Sequence, residues 1–274
     1  STVDPFTNFS NRVAANIGDM ENKGIELDIT IVPVKTNDFE WSVNYNVSFN
    51  DNKVTRMPDA QEVGGIAGGV GNYIQTHVEG EAPYSFNVFQ QVYDAEGNPI
   101  EGAFVDRNGD NIINDKDKFI YHDPYADVLM GLSTNVSYKK WDLSVVTRAS
   151  LGNYAYNNVA SGNAYLNNVI PGSFNYLSNI HSEYLNSGFV QFRDNTLLSN
   201  YWIQDASFFK IDNITLGYTL DNAFKDTIVR IYGSVQNVAT ITDYDGLDPE
   251  INGGIDNSFY PRPRSFVLGL SFDF

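Results

Sequence analysis

Twelve residues, Asp106-Arg107-Asn108-Gly109-Asp110-Asn111-Ile112-Ile113-Asn114-Asp115-Lys116-Asp117, crowd hard oxygen donors into one short run. Asp106, Asn108, Asp110, Asn114 and Asp117 stand at its positions 1, 3, 5, 9 and 12, the oxygen spacing of an EF-hand-type calcium loop. The main-chain carbonyl of Ile112 supplies position 7, Asn114 would act through a water, and Ile113 would anchor the loop to protein. The run departs from the pattern twice. Position 6 is Asn111 where glycine is usual, although asparagine tolerates the left-handed backbone the turn needs. Position 12 is Asp117, whose arm is shorter than that of glutamate. The expectation is one structural calcium ion; the competing reading is a solvated acidic turn, for which Asn-Gly-Asp suffices.

Little else in the chain could do chemistry. His77, His122 and His181 share no ligand spacing, and the absence of cysteine excludes disulfides and thiolate sites. The stretch Val63–Gly71, VGGIAGGVG, precedes no helical pattern and reads as a flexible loop, not a phosphate cradle. Asp243 and Asp245 could imitate a glycosidase pair, but nothing sets them across a cleft. No active site is expected.

The surrounding elements are β-strands. Trp41 to Asn50, WSVNYNVSFN, alternates apolar with Ser or Asn at every step, a strand with one greasy and one wet face. Seven stretches read this way: 23–35, 39–54, 126–139, 141–156, 203–220, 226–239 and 263–274, with a weaker pair at 71–79 and 84–94. Connections alternate between short (Thr36–Asp38, Lys140, Asp221–Lys225) and long (about 55–70, 95–125, 157–202 and 240–262). Short turns at one end and long loops at the other are the pattern of an outer-membrane barrel. Phe39, Trp41, Tyr138, Trp141, Tyr218, Phe272 and Phe274 cluster beside the short turns, as an interfacial girdle does. The wet face carries small neutral groups, Ser42, Asn44, Asn46, Ser48, Ser133, Asn135 and Ser137, rather than the Lys and Glu of a solvated surface.

Composition limits the partners. With 34 acidic and 17 basic residues the chain carries a formal charge of −17, which excludes a nucleic-acid partner. No apolar run is long enough for a transmembrane helix, and STVDPFTNFS has no signal-peptide pattern. The tail sets Phe266, Leu268, Leu270, Phe272 and Phe274 on one face, as the closing strand and insertion signal of a barrel would. An odd strand count, seven or nine, is expected only of part of a barrel, since complete bacterial barrels are even. Ser1 to about Glu21 then reads as the tail of an extracellular loop.

Four stretches together carry a family resemblance: Asn22-Lys23-Gly24-Ile25-Glu26-Leu27, the 106–117 loop, Gln236-Asn237 followed by Thr242, Tyr244, Gly246 and Asp248-Pro249-Glu250, and the tail from Tyr260, YPRPRSFVLGLSFDF. The chain resembles the C-terminal part of a SusC/RagA-type TonB-linked outer-membrane transporter. The resemblance implies an all-β fold, the last strands of a transmembrane antiparallel barrel of about 22 strands around a plug. It also implies import of glycan or peptide fragments with a SusD-type surface lipoprotein, energy from TonB through a missing N-terminal region, and lipid around the wall. The alternatives are a secreted, calcium-stabilised β adhesin or carbohydrate-binding module, whose greasy faces would pack on each other, and a small standalone barrel.

Overall fold

Period-two alternation over ten or more residues can bury one face only if neighbouring strands keep register, because a one-residue slip exchanges the faces. A computed structural model describes residues 16–66, 71–170, 176–191, 194–224, 227–257 and 260–273. Seven long strands form one sheet, in chain order: β1 (Asp19–Lys35), β2 (Phe39–Arg56), β3 (Val128–Tyr138), β4 (Trp141–Leu151), β5 (Phe208–Phe224), β6 (Thr227–Thr242) and β7 (Ser265–Asp273). Every pair is antiparallel.

Register puts like with like. Ile25, Phe49, Val128 and Leu151 stand opposite one another across β1 to β4, and Leu143, Leu216, Gly233 and Leu268 across β4 to β7. On the other face Asp28, Asn46, Gly131, Arg148 and Lys210 form one row, and Ser42, Asn135, Ser144, Thr215 and Ser234 another. Small polar groups there bond across strands: Asn44 Nδ2 donates to Asp28 Oδ1 (3.0 Å) and Thr30 Oγ1 (2.9 Å), and Thr215 Oγ1 donates to Ser234 Oγ (2.9 Å). Among the described residues the apolar face packs on no second sheet; Phe266 is 76% and Leu268 82% exposed. A soluble sandwich would bury these side chains, so the adhesin reading fails here.

At one end the strands are joined by short turns. Thr36 closes the first, its Oγ1 accepting from the Phe39 N–H at 3.0 Å. Aromatic rings gather there: Trp141 and Tyr218 are 4.6 Å apart, Phe39 and Tyr138 6.4 Å, and Trp41 Nε1 donates to Thr134 Oγ1 (2.9 Å). Phe274 lies outside the described residues.

The opposite end differs from the sequence expectation in several places. The stretches 71–79 and 84–94 do not join the wall. They contribute Tyr73–His77 and Ser85–Val88 to a separate four-stranded sheet with Gln61–Gly65 and Phe119–Ile120. The excursion from β2 to β3 is therefore continuous over 57–127, and Gly64 and Gly65 lie in a strand, not a free loop; Gly68 and Gly69 are outside the described residues. The stretch 141–156 breaks after Leu151, where Gly152 takes φ 87 and the chain turns away. Tyr154–Tyr156 then pairs with Ile203–Asp205, so neither of these belongs to a wall strand. At the other edge β1 begins at Asp19, inside the segment expected to be loop.

These excursions form a layer with its own core. Trp202, Tyr156, Tyr165, Phe86 and Phe189 are fully or almost fully buried together. Tyr156 donates to Leu197 O (2.8 Å) and Trp202 Nε1 to Thr196 O (2.7 Å), so the polar ends of the buried rings are satisfied. No helix among the described residues is long and apolar enough to cross a membrane.

Candidate functional site

Toward the loop end, two cations stand together on the polar face: Arg148 on β4 and, paired with it in register, Lys210 on β5; nearer the short turns Arg230 pairs with Asp142. A charge in such a place needs a partner. The segment between β6 and β7 supplies it. Arg148 clamps Glu250 with both terminal nitrogens (2.6 and 2.8 Å), and its Nε donates to Asp212 (2.8 Å). Lys210, 2% exposed, donates to Asp248 (2.7 Å) and Glu250 (3.0 Å) and lies 4.9 Å over the Phe208 ring. Arg262 closes the group against Glu250 (2.7 Å). Three cations thus meet three carboxylates. Burial alone would raise Glu250, but the hydrogen bonds from Arg148 and Lys210 outweigh it and hold its carboxyl at about 2.

The remaining residues of this segment fasten it at both ends. Thr242 Oγ1 donates to Ser207 O (2.7 Å) and accepts from the Tyr244 N–H (3.2 Å). Tyr244 donates to Asp256 (2.7 Å), and a Cβ on Gly246 would overlap the Tyr244 ring. Asn237 takes φ 52, and from that turned backbone its amide donates to Arg262 O (2.7 Å). The stretches QN, T-Y-G, DPE and PRPR therefore meet in one place. Gly24 of NKGIEL has a separate reason: a Cβ there would strike Phe49 O and the Asn50 side chain on the paired strand. The fastened segment walls a concavity of about 1130 Å³ on the polar face, together with Asn46, Ser48, Tyr125 and Arg262.

The 106–117 loop curls on itself. Asp106 accepts from the Gly109 and Asn111 N–H groups (both 2.7 Å), and Asn111 adopts φ 62, the left-handed turn expected of position 6. Asp117, fully buried, accepts from Arg107 (3.0 Å), Asn108 (3.3 Å) and Asn114 (2.9 Å). Asp110 accepts from Ile112 N–H (2.8 Å), Asn108 Oδ1 accepts from Asp110 N–H (2.9 Å), and Asn114 caps the turn Asp115–Asp117 while its amide donates to Ile112 O (3.0 Å). Among the described residues no three His, Cys, Asp or Glu side chains gather closely enough to hold a metal.

The other candidates scatter. His122 stacks on Tyr154 (3.7 Å), His77 meets Tyr84 edge-on (4.4 Å), and His181 accepts from the Glu183 N–H. Asp245 bonds Gln204.

Known proteins agree with the motifs. The TonB-dependent receptor SusC of Bacteroides thetaiotaomicron is 42% identical over 98% of this chain and 28% of its own length. The chain belongs to the SusC/RagA-type TonB-dependent receptors. Another receptor, the TonB-dependent receptor P3 of Formosa agariphila, is 32% identical over 94% of the chain and 29% of its own length. No family model matches. The RagAB peptide transporter superposes with a TM-score of 0.73 at 21% identity, over 94% of this chain and 30% of that one. The chain thus spans about three tenths of the relatives it matches. Its seven strands are a section of a transmembrane antiparallel β-barrel, open at β1 and β7. The polar face lines the lumen, and the fastened segment lies inside it.

Sequence reasoning placed the DPE stretch in the family but missed its ion cluster. The available signal was Arg148 and Lys210, two cations at strand positions of the polar face.

Proposed function

We propose that this section belongs to an outer-membrane importer that takes up oligosaccharide or peptide fragments with a SusD-type surface lipoprotein and is driven by TonB. The observation that carries the reading is the segment 243–264, pinned to the lumenal wall beneath a folded loop layer. That arrangement narrows a wide barrel to a walled path at its loop end while leaving neutral Asn, Ser and Tyr groups on the path. Such groups hold sugars and peptides by hydrogen bonds and ring contacts. The relatives are named as receptors and, for RagAB, as a peptide transporter. In this reading the loop layer is extracellular. Deleting the full-length gene in its host, then supplying labelled oligosaccharides and peptides, should abolish accumulation of one class, and the tagged receptor should bring down a surface lipoprotein. Undiminished uptake of both classes would remove the import reading.

The same reading includes a structural calcium ion held by Asp106, Asn108, Asp110, the Ile112 carbonyl, Asn114 and Asp117. The hydrogen bonds that curl the loop leave room for a cation on Asp106, Asp110 and Asp117 Oδ2, whose oxygens each accept one N–H and keep a second lone pair, while Asp117 Oδ1 already accepts from both Arg107 and Asn108. The amides of Asn108 and Asn114 would turn their oxygens inward. Affinity on the order of 10⁻⁴–10⁻³ M suffices outside a cell. Asp106→Ala should abolish calcium-dependent protease protection of this loop and leave the barrel's heat-modifiability unchanged. Equal protection with calcium and with chelator, in the unmodified receptor, would return the loop to a solvated turn.

A further inference from the structure

The outward face of the wall has one conspicuous gap. Gly233 stands in an apolar row between Leu216 and Leu268, and a Cβ there would meet no atom within 4 Å. The missing side chain deepens an open depression of about 430 Å³, lined by Trp141, Leu216, Tyr218, Ile231 and Leu268 among others and almost wholly apolar. The Trp141 and Tyr218 rings edge it on the side of the short turns. From Leu143, which pairs with Leu216 in the same row, the turn Lys139-Lys140 is three residues along the strand, about 10 Å.

That turn is unusual. Lys139 takes φ 54, a conformation that glycine or asparagine adopts with less strain in a two-residue hairpin. The chain nevertheless places a lysine there. Its ammonium lies 5.5 Å over the Tyr138 ring, and among the described residues no carboxylate pairs with it. Lys140 is shared with Asp221 at 3.3 Å, both half exposed. An apolar slot, an aromatic edge and a free ammonium thus follow one another toward the membrane boundary. This is the order of acyl chain, ester and phosphate in a glycerophospholipid.

We propose that the slot at Gly233 holds one glycerophospholipid of the leaflet at the short-turn end, its acyl chain against Leu216 and Leu268 and its phosphate on Lys139. Ordinary boundary lipid slides over an even surface. Here the chain lies in a recess and the head on a cation at a turn, next to the Lys140–Asp221 pair. The proposal rests on the outward face meeting lipid and is independent of the cargo.

The test uses the full-length receptor, extracted from membranes in mild detergent, with phospholipid per protein counted by native mass spectrometry. The unmodified receptor should retain one phospholipid. Gly233→Leu, which fills the slot, should lose it. Lys139→Gly relieves the turn while removing the cation, so a several-fold fall in occupancy cannot come from misfolding. A nitroxide at Val43, on the same face outside the slot, reads lipid exposure by oxygen relaxation. A relaxed label with retention unchanged in Gly233→Leu, or with no lipid on the unmodified receptor, overturns the slot alone. A label that oxygen does not reach overturns the lipid-facing reading and the slot with it.

Discussion

Replacing Lys210 with alanine should release the segment 243–264 from the lumenal wall. The side chain is 2% exposed and bonds both Asp248 and Glu250. Its loss leaves two cations facing three carboxylates in a site whose centre, at Lys210, is buried. Removing one partner of a buried ion pair costs about 3–5 kcal/mol. The cost should appear as local opening, since the strand ladders on either side are untouched. Hydrogen exchange on the full-length receptor should show faster exchange across residues 243–257 and unchanged protection in β4 and β5. Unchanged exchange in the segment would mean that Arg148 and Arg262 alone hold it. The clamp also has a pH signature. Glu250 is held at about 2, below the ordinary glutamate value of 4.5. A carboxyl depressed on folding stabilises fully above its unfolded value, and the contribution is lost as pH falls through the folded one. The segment should therefore loosen between about pH 4.5 and 2 and not near neutrality.

Trp202→Ala should have a comparable effect in the loop layer. The ring is fully buried, packs edge-on against Phe189 (5.7 Å) and Tyr201 (4.9 Å), and donates to Thr196 O. Emptying a site of this size costs about 3–5 kcal/mol, and it leaves a buried carbonyl unpaired. Limited proteolysis of the full-length receptor should cut within 157–202 while the wall stays intact. Trp141→Ala, on the outward face, should produce no such cut. Identical digestion patterns for both variants would deny the layer a core of its own.

The wall was readable because one period governs it. In WSVNYNVSFN each residue's face follows from its neighbour two places away, and the structure pairs those faces strand by strand. The loop layer was not readable in the same way. Tyr73–His77 and Tyr154–Tyr156 are too short to show a period, and their partners lie elsewhere in the chain. The break after Leu151 had a local sign in Gly152, but alternation continuing through Tyr154 and Tyr156 concealed it. The wall cations of the ion cluster reach partners in the segment 38 (Lys210–Asp248) and 102 (Arg148–Glu250) positions away. Spacing of that kind leaves no pattern along the chain, only charged residues at strand positions of the polar face. The 106–117 loop was legible as a turn from its composition, and Asn111 at φ 62 bears out the backbone inferred for position 6.

The order of strands also sets a timetable for assembly. β1 and β2, β3 and β4, and β5 and β6 are each separated by no more than three residues, so each hairpin can zip from a nearby start. Joining one hairpin to the next means closing the excursions 57–127 and 152–207, an entropic cost that grows only slowly with length but is met before any ladder forms. Trp202, Tyr156 and Phe86 come from both excursions and meet in one core. Condensation of that core would draw the ends of both excursions together and set the three hairpins side by side. The slow step of wall assembly would then lie in the loops, and a lesion such as Trp202→Ala should delay insertion of strands that it never touches.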